Sequence, residues 1–252
     1  ELISGASGTA TGANVQASTE VGEAVPNANS LQSGTVWYEW TAKGTSTATF
    51  DTLGSTFDTV VAIYTGASVD ALTEVASNDD DLGNEPQSSV SFAATKDTTY
   101  YIAVGGVFAT GSITLNWDQT LQLDVVSSSV GGPVDAITID SSGDYAGTTD
   151  YNADAIADGT AINLNASVEA DPLGFRFVSW TLNGTEQALG LRTLDFNISE
   201  DSTAVANYIA LWSLAVGSDP GGAGTVQIIS SGLFDGDMPY ITSEIDHGTA
   251  IN

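Results

Sequence analysis

Hard oxygen ligands stand at three places along this chain. Glu23 and Asn27 precede the apolar VWYEW segment, Asp58 sits in STFDT, and Asn78, Asp79 and Asp80 open an acidic run that ends at Asp81. Carboxylate and amide oxygens converging from separate loops suit Ca2+, which takes roughly six to eight ligands in irregular geometry. Ca2+ is therefore the one cofactor the residues suggest. The spacing N-D-D-D-L-G is not the D-x-D-x-D-G of an EF-hand loop, and the run also reads as a solvated turn with Asx caps. The sequence leaves both readings open. A second acidic triplet, Asp235-Gly236-Asp237, replaces AGT of an earlier repeat copy and is the weaker candidate.

Catalytic chemistry finds little to work with. Carboxylate pairs flanking a glycosidic bond would make a hydrolase, but among 32 Asp and Glu residues such pairs arise by chance and nothing selects one. The only histidine, His247, is a poor general base because its repeat counterpart is Asp158. Nucleophile-elbow, P-loop and dinucleotide fingerprints do not occur. No catalytic residue is nominated, and the chain is expected not to be an enzyme. Lys43 and Lys96 lack the apolar strand context of an isopeptide crosslink. Trp40, Trp117 and Trp180 share the phase of aliphatic neighbours and are expected in cores, whereas Trp37 has the opposite phase and is expected at a surface.

The formal net charge of -28 repels phosphate backbones and anionic membranes, so nucleic acid is excluded as a partner. It also attracts cations. Cysteine is absent, which removes disulfides and thiolate metal sites. No segment approaches the roughly 20 apolar residues that span a bilayer, and membrane insertion of this segment is not expected. The start, ELISGASGTA, has neither Met nor a signal peptide and reads as excised from a longer chain.

Strands must do the positioning. Period-2 alternation runs through Val36, Tyr38 and Trp40; Tyr100, Ile102 and Val104; Ile113, Leu115 and Trp117; and Leu194, Phe196 and Ile198. TLGS, NDDDLGNE and SSSVGGP read as turns, and Val69, Leu72 and Val75 have the spacing of one short helical turn. DGTAIN at 158–163 recurs as HGTAIN at 247–252, an offset of 89 that carries back through Tyr151 and Tyr240 and through Gly147 and Gly236. LQLDV at 121–125 aligns with WSLAV at 212–216. The expected architecture is all-β: an antiparallel β-sandwich at 1–118, one complete β-rich repeat at 119–209, and a truncated second copy at 210–252.

The first 118 residues resemble the bacterial pre-peptidase C-terminal (PPC-like) domain through GTATGANV, TVWYEWTA, TATFDTLGSTFDTVVAIYTG, LTEVASNDDD, SSVSFAAT and TTYYIAVGG in that order. The segment 121–208 is similar to a divergent internalin-type B repeat through LDVVSSS, FVSWTLNG and STAVANY. The first resemblance implies calcium near GEAVPN, FDT and SNDD. Together they imply an extracellular or cell-surface module without an active site, structural or adhesive, as in a filament or giant repeat protein. The partners implied are neighbouring domains, copies of the same protein, or an extracellular glycan or protein. The rival expectation is a glycan- or protein-binding module attached to a secreted hydrolase.

Overall fold

The computed structural model describes residues 1–19, 21–23, 34–81, 86–131, 137–166, 169–170, 175–216, 227–228, 236–237 and 240–246, with side chains through 210 except those of 169–170. The chain is all-β. It divides into two compact units: residues 1–123 with 153–161 and 197–202, and residues 124–152, 162–196 and 203–252.

The first unit is an antiparallel sandwich. One sheet runs in the order β1 (Leu2–Ile3), β3 (Val36–Thr41), β8 (Thr99–Gly106), β5 (Thr59–Thr65), β6 (Thr73–Asn78). The other runs β2 (Ser7–Ala13), β9 (Ser112–Gln119), β4 (Ser46–Asp51), β7 (Ser89–Ala94). Among the described residues of these two sheets, only the two-residue contact of β1 with β3 is parallel. Alternation decides which side chains meet between the sheets: Tyr38, Trp40, Ile63, Ile102 and Val104 from the first, and Phe50, Phe92, Ile113, Leu115 and Trp117 from the second. The Trp40 and Phe50 rings meet edge-on at 5.2 Å, and Phe92 lies 4.8 Å from Tyr100. Each such large side chain contributes about 2 kcal/mol by leaving water. Two glycines of β2 make room for this core, because a Cβ at Gly8 would stand 2.3 Å from Trp117 and one at Gly12 would stand 2.6 Å from the Tyr38 hydroxyl.

β5 is buried on both faces from Thr59 to Tyr64. Val61 and Ile63 enter the sandwich core, while Ala62 and Tyr64 turn to the outer face under Trp37, Leu72 and Tyr101. Trp40 and Trp117 are core residues as their phase requires, and Trp37 is half-buried on the outer face.

Two further segments belong to this unit. Asp158 accepts the backbone N–H of Ser7 at 3.1 Å and its hydroxyl at 3.0 Å. Asp201 accepts the N–H groups of Thr45 at 2.7 Å and Gln122 at 2.8 Å, and Lys96 donates to the Asp201 carbonyl at 2.7 Å while pairing with Glu200 at 3.5 Å. Lys96 thus serves as a surface anchor.

A further sheet, most of whose residues belong to the second unit, has the order β13 (Tyr151–Ile156), β10 (Leu121–Val130), β19 (Ser202–Val216), β16 (Phe175–Leu182), β15 (Glu169–Ala170), with β17 (Thr185–Glu186) beside β16. Another runs β12 (Gly147–Thr148), β11 (Thr138–Asp140), β14 (Ala161–Ala166), β18 (Thr193–Asn197). Trp180 is fully buried with its indole N–H donated to the Arg192 carbonyl at 2.7 Å, and Phe177 packs edge-on against Tyr208 at 5.5 Å.

The repeat is written into the backbone pairing. Thr138 opposes Thr148 and Ile139 opposes Gly147; each position 89 residues on repeats this, Gln227 opposing Asp237 and Ile228 opposing Gly236 in β20 (Gln227–Ile228) and β21 (Gly236–Asp237). β22 (Tyr240–Asp246) then pairs with the end of β19. Two local expectations change. SSSV of the expected SSSVGGP turn continues β10 through Val130, and the helical turn closes at Ala71, leaving Val75 in β6.

Candidate metal centre

Asp58, Asp79 and Asp80 come together although 20 residues lie between the first two. β5 and β6 are antiparallel, and Val61 opposite Asn78 places the start of one strand beside the end of the other. Asp58 precedes β5, and its carbonyl accepts the Val107 N–H at 3.1 Å. Asp79 and Asp80 follow β6 directly. The buried Ser88 hydroxyl lies against the carbonyls of Thr59 and Asp79, and Asp81 N–H donates to the Gln87 carbonyl at 2.8 Å. The acidic run is thereby stapled to the strand entry at 86–88.

One carboxylate oxygen from each aspartate falls within 4.8 Å of the others. Asp58 and Asp79 are half-buried and Asp80 is exposed. Oδ1 of Asp58 and Oδ1 of Asp79 are both shielded from water and accept no hydrogen bond. Burial first, then the neighbouring Asp80 and Asp79 charges, raises the Asp58 carboxyl above its ordinary range. Buried acceptors without donors are costly. An oxygen-seeking cation answers both the missing partners and the mutual repulsion, so the donor set fits Ca2+ chemistry.

Among the remaining expected ligands, Glu23 and Asn78 spend side-chain oxygens on other groups. Glu23 Oε1 accepts from the Trp37 indole N–H at 2.9 Å and from the Thr35 hydroxyl. Asn78 turns its side-chain oxygen to the Ser89 N–H at 3.3 Å. Asn27 lies outside the described residues, as do His247 and the side chains of the Asp235–Asp237 triplet.

A second concave feature occupies the outer face of the sheet containing β3, β8 and β5. It is a groove of about 270 Å³ lined by Trp37, Ala67, Ser68, Val69, Leu72 and Tyr101. Nothing in the sequence marked it beyond the opposite phase of Trp37, because Tyr101 and Leu72 reach it only through the sheet order.

No protein-family model matches the chain, and no curated protein matches it.

Proposed function

We propose that this chain is a non-catalytic structural or adhesive module of a secreted or cell-surface multidomain protein, and that Asp58, Asp79 and Asp80 hold a Ca2+ ion that fixes one end of its sandwich. The observation that carries this reading is the pair of buried, unpartnered carboxylate oxygens on Asp58 and Asp79, facing a third carboxylate. Backbone carbonyls and water would complete the shell. The ion would hold the β6 end and the β5 start together, where three like charges otherwise push them apart.

The structural role draws support from the chain's construction. A pairing pattern that recurs 89 residues further on follows the sandwich along the chain. A series of such modules makes a spacer, and a filament or giant repeat protein is its most extended form. The resemblance to PPC-like and B-repeat modules agrees with this use.

Calorimetric titration of Ca2+ into chelator-treated protein, paired with thermal melting, tests the proposal. Saturable binding and a raised Tm are expected, because a ligand of the folded state stabilises it by mass action. An unchanged Tm at millimolar Ca2+ overturns the metal assignment. Compact particles in micrographs of the parent protein overturn the spacer.

A further inference from the structure

We propose that the outer groove of the sandwich binds a cationic side chain, arginine or lysine, presented by a partner polypeptide. This inference stands apart from the calcium proposal and uses none of Asp58, Asp79 and Asp80.

The groove combines two features that a guanidinium or ammonium recognises. Trp37 and Tyr101 supply aromatic surface, and the tilted contact of Trp37 with Tyr64, 5.5 Å between centroids, holds the indole in place. Its N–H is already given to Glu23 at 2.9 Å, which fixes the ring further. Carboxylates neighbour these lining residues in register and along the chain. Glu39 is the register partner of Tyr101, Glu74 is the partner of Tyr64, Glu23 sits at the indole nitrogen, and Asp70 lies between the lining residues Val69 and Leu72.

None of these lining or neighbouring residues is basic, and the charged ones among them are all carboxylates. A cation over an aromatic face gains from the ring quadrupole, and nearby carboxylates add salt bridges. Charge complementarity therefore selects the occupant. A second copy of this chain, at net charge -28, is repelled. A neutral glycan would stack on Trp37 but make no use of four carboxylates.

The test follows the Trp37 indole N–H resonance, assigned with Trp37→Phe, during titration at about 150 mM salt. Acetyl-Gly-Arg-Gly-amide is the probe, with acetyl-Gly-Gln-Gly-amide and a neutral hexasaccharide as comparators. The arginine peptide is expected to shift this resonance saturably while the buried Trp40 and Trp117 signals stay put. Binding should weaken roughly tenfold in Tyr101→Ala and in Glu39→Gln/Glu74→Gln. Ser68→Lys, an exposed change that leaves the core untouched, should abolish it. Asp97→Asn, in the β7–β8 turn, should leave it unchanged. Binding that survives Ser68→Lys, or falls equally in Asp97→Asn, reduces the effect to bulk charge and overturns the proposal. A Trp37 shift with the hexasaccharide and none with the arginine peptide also overturns it, in favour of a sugar site.

Discussion

Gln119 and Gly44 hold each other reciprocally: the amide nitrogen of Gln119 donates to the Gly44 carbonyl at 2.6 Å, and its oxygen accepts the Gly44 N–H at 3.1 Å. The same oxygen accepts the Lys43 N–H at 2.9 Å, and Gln119 is fully buried. One side chain thus satisfies three backbone groups of the β3–β4 turn. Gln119→Ala leaves them buried without partners and should cost about 3 kcal/mol in denaturant unfolding. A loss below about 0.5 kcal/mol would mean that water replaces the amide.

Asp201 ties its own segment to the sandwich through Thr45 and Gln122. Asp201→Ala should accelerate amide hydrogen exchange at Thr45 and Gln122 specifically, with a global loss of about 1–2 kcal/mol. Unchanged exchange at both amides would show that these contacts do not persist in solution.

The raised Asp58 carboxyl sets a pH dependence for the metal-free protein. A carboxyl whose folded pKa lies above its unfolded value stabilises fully below the unfolded pKa, and that stability is lost as pH rises through the folded one. Asp58→Asn should therefore be more stable than the parent at neutral pH in chelator, with the gap closing on acidification. The same variant should lose the rise in Tm with Ca2+. A variant less stable than the parent in chelator would contradict the repulsion argued for this cluster.

Tyr38 governs the alkaline side. Burial, and secondarily the Glu1 carboxylate, push its hydroxyl up to about 12, and burial raises Tyr151 likewise to about 12. Both shifts are upward, so their stabilisation is full below the ordinary tyrosine value of 10.0 and disappears as pH climbs through about 12. The Tyr38 hydroxyl is buried without a hydrogen-bond partner. Tyr38→Phe should gain about 1 kcal/mol near pH 8 and show a shallower alkaline loss, read by unfolding across that range.

Side-chain alternation made most of the fold legible in advance. Tyr38 and Trp40, Ile113 and Leu115, and Trp180 all fall in cores because strand phase is local information. The offset between Gly147 and Gly236 likewise anticipated a pairing that recurs in the same register. The site was harder. Which of the six expected oxygens converge depends on the pairing of Val61 with Asn78, a relation between strands that no local pattern contains. Glu23 was drawn instead to Trp37 because an indole N–H at the outer face offers a donor. The groove was less legible still, since Tyr101 meets Trp37 only after β8 has been placed between β3 and β5.

Gly8 and Gly12 give β2 two places where another strand's aromatic ring occupies the space of a side chain. Such a strand is sterically coupled to residues more than 20 positions away. Among related sequences, a larger residue at position 8 should travel with a smaller one than Trp at position 117, and likewise position 12 with position 38. The empty sites of β2 would then appear as covariation, even in relatives too divergent to share any motif.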